Sequence, residues 1–247
     1  MSSMDFANGS SEILIDELNK NIQEIKGLEE NTLINKLPTI VTINDVQYEI
    51  EYDGEVVKLN TLLPEGYVGV EYIEGNGRQN IDLGMKGNNH LVYQIKFLQK
   101  EYYGGVTVGV YNWVGNGPYD DQRLFMTGGN LLLDWVHSVR LSKEYDNLLN
   151  VVHNYEFGNR YVKDLETNEL LLNGSLYETE FETNNNIIIG GAALQVYSLK
   201  IFDNGKIVRN MKPCRRTADN KVGMYDLVED KFYSSNSTTE YIAGNEI

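Results

Sequence analysis

Cysteine is almost missing. The 247 residues include 1 Cys, which excludes an intrachain disulfide framework and every multi-cysteine zinc pattern. Basic residues are in short supply, with 21 Lys+Arg against 36 Asp+Glu for a net charge of −15. That balance argues against nucleic acid or an anionic membrane as partner, because both need a positive footprint. No run approaches the ~18 apolar residues of a membrane span, so no membrane insertion is expected. His90, His137 and His153 form no His-x-His or His-Glu-x-x-His string, and there is no Gly-x-Ser-x-Gly elbow. Neither a metal-ligand set nor a serine triad is therefore legible. The amino end lacks a basic start, and its longest apolar stretch, Ile13 to Ile15, lies between acids. The expectation is a chain without a signal peptide, made in a cytoplasm. No internal repeat or long low-complexity tract stands out.

What is present is enough chain for a real core without disulfide or metal staples. Hydrophobic residues at 41% with charged residues at 23% are ordinary for a globular protein. Less ordinary are 17 Tyr against 4 Pro, since Tyr favours strands and wet binding surfaces. Charge divides the chain unevenly. Residues 1–62 hold 12 acids and 4 bases, and residues 63–247 hold 24 acids and 17 bases.

Residues 1–36 read as an arm and a short helical stem. The arm ends at Asn8-Gly9-Ser10-Ser11, after which Ser10 or Ser11 caps a helix running to about Glu30, with Glu12, Asp16 and Glu17 at its positive start. Ile15, Leu18, Ile22 and Ile25, spaced 3, 4 and 3 residues apart, make an a/d seam. A helix this short is marginal alone in water, so it packs on its own domain or on copies of itself. Ile at both a and d tilts a parallel bundle toward three or more strands. The expectation is a homotrimer joined through that seam.

Residues 37–61 change period. Pro38 ends the stem, and Thr39 to Leu59 alternates apolar and polar residues, with turn pairs at Asn44-Asp45 and Asp53-Gly54. About three short strands are predicted. Residues 62–247 show no convincing helix. Strand-like runs recur at 67–73, 90–98, 105–113, 131–136, 148–157, 186–191, 194–203 and 231–235, with Asn-Gly pairs at 76–77, 116–117, 173–174 and 204–205. Many short strands with regular turn signals predict a β-sandwich or barrel.

Both ends of this last segment carry recognisable residues. Leu63-Pro64-Glu65-Gly66-Tyr67, Glu71-Tyr72-Ile73-Glu74 and Gly77-x-Gln79-x-Ile81-Asp82-x-Gly84 open it. Tyr197 to Gly205, Pro213-Cys214, Val222 to Val228 and Lys231-Phe232-Tyr233 close it. In this order they resemble the laminin-G-like, concanavalin A-like module found at the C-terminus of phage and prophage tail, baseplate and fibre proteins, and in some gut bacterial surface proteins. The resemblance implies a mainly β fold: a jelly-roll sandwich of two curved antiparallel sheets, here preceded by the short helix and small β segment. It also implies a virion or surface location.

Concanavalin-like sandwiches include glycosidases that carry their carboxylates as Glu-x-Asp-x-Glu on one strand, with a retaining pair ~5–5.5 Å apart. Glu51-Tyr52-Asp53-Gly54-Glu55 has that spelling. Asp53-Gly54 is a turn signal that breaks the shared face, and the string precedes the sandwich, so no catalysis is expected. The loop 111–121 is the carbohydrate-binding candidate. Trp113 and Tyr119 offer rings to sugar C–H faces, and Asn116 and Asp120 offer hydrogen bonds to hydroxyls. Asp120-Asp121 alternatively suits Ca²⁺, and a plain turn loop with Trp113 in the core is the third reading. Lys206, Arg209, Lys212, Arg215 and Arg216 form a basic stretch. Its imperfect alternation reads as a solvated outer strand. The sharper alternative is contact with an anionic partner, either a phosphate-rich wall polymer or the acidic appendage of a neighbouring subunit. Cys214 lies beside Arg215 and Arg216, which favour a thiolate. The module places a Cys there, so it is read as a packed structural thiol.

These readings combine into an oligomeric phage virion protein, a tail, baseplate or fibre component. Its N-terminal segment joins other virion proteins and its head binds host-surface glycan. A capsid decoration or head-fibre protein is the alternative in the same class. A glycoside hydrolase and a bacterial adhesin are alternatives of other classes. No cofactor is expected, Ca²⁺ aside.

Overall fold

A computed structural model describes residues 40–43, 46–52, 57–61, 63–102, 106–110, 122–136 and 140–247. The chain divides into two units, Met1–Pro64 and Glu65–Ile247. The first contains a three-stranded antiparallel sheet of β1 (Ile40–Ile43), β2 (Val46–Tyr52) and β3 (Val57–Thr61). The pairs Ile43↔Val46 and Tyr52↔Val57 end its two ladders, at the positions the alternation and the two turn pairs predict. The expected stem helix, with Ile15, Leu18, Ile22 and Ile25, lies outside the described residues.

The second unit begins with β4 (Tyr67–Gly69), β5 (Ile73–Asn76), β6 (Asn80–Asn88), β7 (Leu91–Gln99), β8 (Val108–Val110) and β9 (Gln122–Thr127). It continues with β10 (Asn130–Trp135), β11 (Arg140–Glu144), β12 (Val152–Gly158), β13 (Tyr161–Asp164), β14 (Leu170–Asn173) and β15 (Glu182–Gly190). It closes with β16 (Ala193–Asp203), β17 (Lys206–Arg216), β18 (Val222–Asp226), β19 (Lys231–Ser234) and β20 (Ile242–Ala243). These strands form a β-sandwich of two antiparallel sheets, with no helix among the described residues. The smaller sheet has six strands in the order β11-β10-β9-β8-β15-β6. The larger has the path β14-β13-β12-β7-β16-β17-β18-β19, with β4, β5 and β20 paired at its side.

Strand alternation fills the space between the sheets. Tyr93, Ile95 and Phe97 of β7 point inward with Tyr155 and Phe157 of β12 and Leu199 and Ile201 of β16, all buried. The smaller sheet answers with Ile81, Leu83, Val108, Val110, Leu124, Met126, Leu133, Trp135, Ile187 and Ile189. Each such side chain contributes roughly 1.5–3 kcal/mol on burial. Tyr93 stacks on Phe157 with centroids 4.5 Å apart and planes at 1°.

Polar ties cross this core and fix how the sheets face each other. Tyr93 donates to Gln122 Oε1 at 2.9 Å, and Gln122 Nε2 donates to the Asn88 carbonyl at 2.6 Å. Gln99 Nε2 donates to the Met126 carbonyl at 3.1 Å. Arg209 Nη2 donates to the Leu83 carbonyl at 3.2 Å. The Tyr93, Gln99 and Arg209 bonds each join a strand of the larger sheet to a strand of the smaller, while the Gln122–Asn88 bond links β9 to β6 within the smaller sheet, and satisfied buried bonds of this kind select one packing.

His153 belongs to the same class of structural polar groups. Its Nε2 contacts the Leu148 carbonyl at 2.9 Å, which only accepts, so Nε2 carries the proton. Nδ1 is then bare and accepts from Tyr155 Oη at 2.8 Å. Burial holds the imidazole pKa below its ordinary 6.5. The folded state therefore binds less proton than the unfolded state below that value, and its stability falls as pH drops. The loss reaches at most about 1.4 kcal/mol per pH unit for one proton. Urea midpoints measured from pH 7.5 to 5 are expected to decline more steeply for the parent than for His153→Gln. Equal slopes would refute the buried neutral imidazole.

Candidate functional site

The face of the smaller sheet turned away from the core holds a polar recess of about 360 Å³, lined by Asp82, Lys86, Asn184, Asn185, Asn186 and Ile188. It forms where β15 departs from regular pairing with β6. The register runs Glu182↔Asn88, Asn186↔Lys86 and Ile188↔Asp82, with irregularities on either side of Asn186. Extra residues at such bulges bend the strand and re-aim its side chains. Asn is a poor strand former, and the run Asn184-Asn185-Asn186 supplies the irregular stretch.

Local bonds set the recess before any ligand arrives. Asp82 Oδ1 accepts from the Gly84 N–H at 2.8 Å. Asn186 Nδ2 donates to Asp82 Oδ1 and Oδ2 at 3.0 and 3.2 Å. Lys86 Nζ donates to the Asn184 carbonyl. Ile188 pairs with Asp82 on one side and with Gly109 of β8 on the other. The result is an apolar floor with a carboxylate, amides and an ammonium around it. One carboxylate and a lysine already bonded to the Asn184 carbonyl suit hydroxyl recognition better than a divalent cation, which takes six or more oxygens.

The carbohydrate candidates Trp113, Asn116, Tyr119 and Asp120, and the Asp120-Asp121 pair considered for Ca²⁺, lie outside the described residues. So do Asp53 and Glu55, while Glu51 sits on β2 opposite Lys58. Asp82, Lys86 and Asn184 to Asn186 are not among the sequence candidates. The run Asn184-Asn185-Asn186, a stretch of poor strand formers at the start of the strand-like segment 186–191, is the signal the sequence offers.

The basic stretch is dispersed by its strand. β17 is not an outer strand, because it lies between β16 and β18 in the larger sheet. Arg209 points into the sandwich with 8% exposure and bonds Glu229 at 2.7 Å. Arg215 pairs with Glu246 and bonds Asn220 at 3.0 Å. Arg216 grips Asp219 through two bonds, 3.0 and 2.7 Å, over the Phe232 ring. Lys206 is exposed at the β16–β17 turn. Lys212 faces outward across from Tyr225. These five do not converge on one point.

Cys214 is fully buried, and burial pushes its thiol up to about 12, against the smaller opposite pull of the Tyr225 backbone and Arg216. It is a packed thiol, not a thiolate. His90 is exposed and bonds Glu180 at 2.9 Å. No family model, curated protein or solved structure matches the chain.

Proposed function

We propose that the sandwich is a glycan-binding head of an oligomeric phage virion protein, a component of a tail, baseplate or fibre. The recess carries this reading: amides and a carboxylate, oriented by their own bonds, surround the apolar floor of Ile188. A sugar ring sets hydroxyls against such groups and C–H atoms against such a floor. The reading is binding without hydrolysis, because Asp82 is the one carboxylate in the lining among the described residues and glycosidic cleavage takes two. The finer fold belongs to the same proposal, a jelly-roll of the concanavalin A-like kind, a reading that the sandwich of two antiparallel sheets supports.

The stem seam at Ile15, Leu18, Ile22 and Ile25 assembles three copies in this reading. Linked heads gain roughly 10²–10⁴-fold in avidity without any new contact, which offsets a weak single site. The test is a glycan array probed with the full chain, followed by titration of the retained glycan. Asp82→Ala and Asn186→Ala are each expected to weaken binding at least tenfold while the far-UV spectrum stays that of the parent. Retention of no glycan, or parent-like titration by Asp82→Ala, would sink the assignment.

A further inference from the structure

We propose that the outer face of the larger sheet binds the phosphate group of a phosphate-bearing polyol, seated among Lys96, Lys200 and Lys212. The register brings these residues together from three strands. Lys200 of β16 lies opposite Gln94 of β7 on one side and opposite Asn210 of β17 on the other. Lys96 is two residues beyond Gln94, and Lys212 is two beyond Asn210. Lys200 is therefore the diagonal neighbour of both, at the ~7–8 Å separation of such pairs. Four-carbon stems span that distance easily, so three ammonium groups can meet over one point.

In a chain of net charge −15, these three ammonium groups have no directly bonded counter-charge among the described residues. The neighbouring acid on this face, Glu156, accepts from Gln94 at 2.8 Å and from Tyr161 at 3.1 Å. Lys212 is half-buried, and burial together with the charge of Lys200 lowers its pKa. A half-buried ammonium beside a second ammonium works against folding, and a bound anion reverses the sign of that local energy.

The surroundings favour a phosphate carried on a polyol over a bare ion. Ser198 lies opposite Lys96, and Asn154 lies opposite Lys96 on the other side. Asn210 Oδ1, on the residue opposite Lys200, is buried without a hydrogen-bond partner among the described residues. Tyr197, the extra residue of a bulge in β16, sets its ring 6.0 Å from Lys96 Nζ and edge-on to Tyr72. Lysine binds phosphate as a compact point charge, and a few lysines in an acidic field suit isolated phosphates better than a nucleic acid.

The site stands on the opposite sheet from the Asp82 recess and does not depend on it. The probes are inorganic phosphate, glycerol 3-phosphate, glycerol and a thymidine oligonucleotide, titrated into the full chain by calorimetry at low and high salt. Saturable binding of phosphate is expected, tighter for glycerol 3-phosphate, absent for glycerol and weakened by salt. Lys200→Met and Lys212→Met are each expected to reduce it at least tenfold, with Lys212→Met at least as resistant to urea as the parent. Lys200 is exposed, so its variant reports on binding even if Lys212→Met perturbs the fold. No saturable phosphate binding, unchanged affinity in Lys200→Met, or tighter binding of the oligonucleotide would each overturn the proposal.

Discussion

Arg209→Met is expected to destabilise the sandwich by about 3–5 kcal/mol, the range for removing one partner of a buried ion pair. At this domain size the corresponding fall in Tm is roughly 6–20 °C. The side chain joins the sheets: Nη2 donates to the Leu83 carbonyl of β6 at 3.2 Å and bonds Glu229 at 2.7 Å. Its Nε lies 3.4 Å from Asp226 Oδ2, close enough for charge attraction but not aligned as a hydrogen bond. Asp226 is wholly buried, and its Oδ1 accepts from the Asn210 and Val228 N–H groups at 2.9 and 3.0 Å. Losing the guanidinium strands that carboxylate and orphans the Leu83 carbonyl together. Met retains much of the packing, so the deficit reports charge and hydrogen bonding. Adding Asp226→Asn to Arg209→Met is expected to recover part of the loss, because the stranded charge goes with it. A change within ±0.5 kcal/mol for the single variant would mark Arg209 as an ordinary surface cation.

Arg209 also shows where sequence reasoning stops. Alternation across Lys206 to Lys212 is imperfect because β17 carries a bulge: Ile207 pairs with Phe202 and Arg209 with Ile201, leaving Val208 extra. That one residue turns Arg209 to the inside, and nothing local announces it. The β16–β17 hairpin by contrast is legible, since Asn204 and Gly205 take φ of 49° and 76°, as a two-residue hairpin turn with both central residues left-handed demands. The strands β1 to β3, β7, β10, β12 and β16 follow from alternation or apolar runs. The strand β9 hides its nature behind Gln122 and Arg123, polar residues whose burial depends on distant partners. Both candidate binding features share that dependence. The recess needs Asp82 to meet Ile188 and Asn186, more than a hundred residues away. The lysine cluster needs three strands in register and a bulge at Tyr197. Contacts between residues distant in sequence made these features, and one-dimensional spacing carries little trace of them.

The second large effect concerns an acid held between two arginines. Asp134 of β10 has a side chain only 6% exposed, and it accepts from Arg123 Nε at 3.0 Å and Nη2 at 2.9 Å. Arg140 adds bonds of 2.7 and 3.0 Å from a side chain that is 51% exposed. The two guanidiniums also lie over Phe125, at 4.4 and 5.3 Å from its centroid. Strands β9 and β10 are buried on both faces through this region, so the charge of Arg123, 8% exposed, has little water to turn to. Asp134→Asn keeps the shape and removes the charge, and is expected to cost about 3–5 kcal/mol. Arg140→Met removes an interaction that solvent already screens, and is expected to cost no more than about 1 kcal/mol. Urea midpoints at a common m-value measure both. The ranking is the decisive quantity, because it follows from burial: Arg140→Met takes an exposed partner from the carboxylate, and Asp134→Asn takes the carboxylate from a buried guanidinium. An Arg140→Met variant as unstable as Asp134→Asn would mean that the exposed guanidinium, not the buried one, anchors the hairpin.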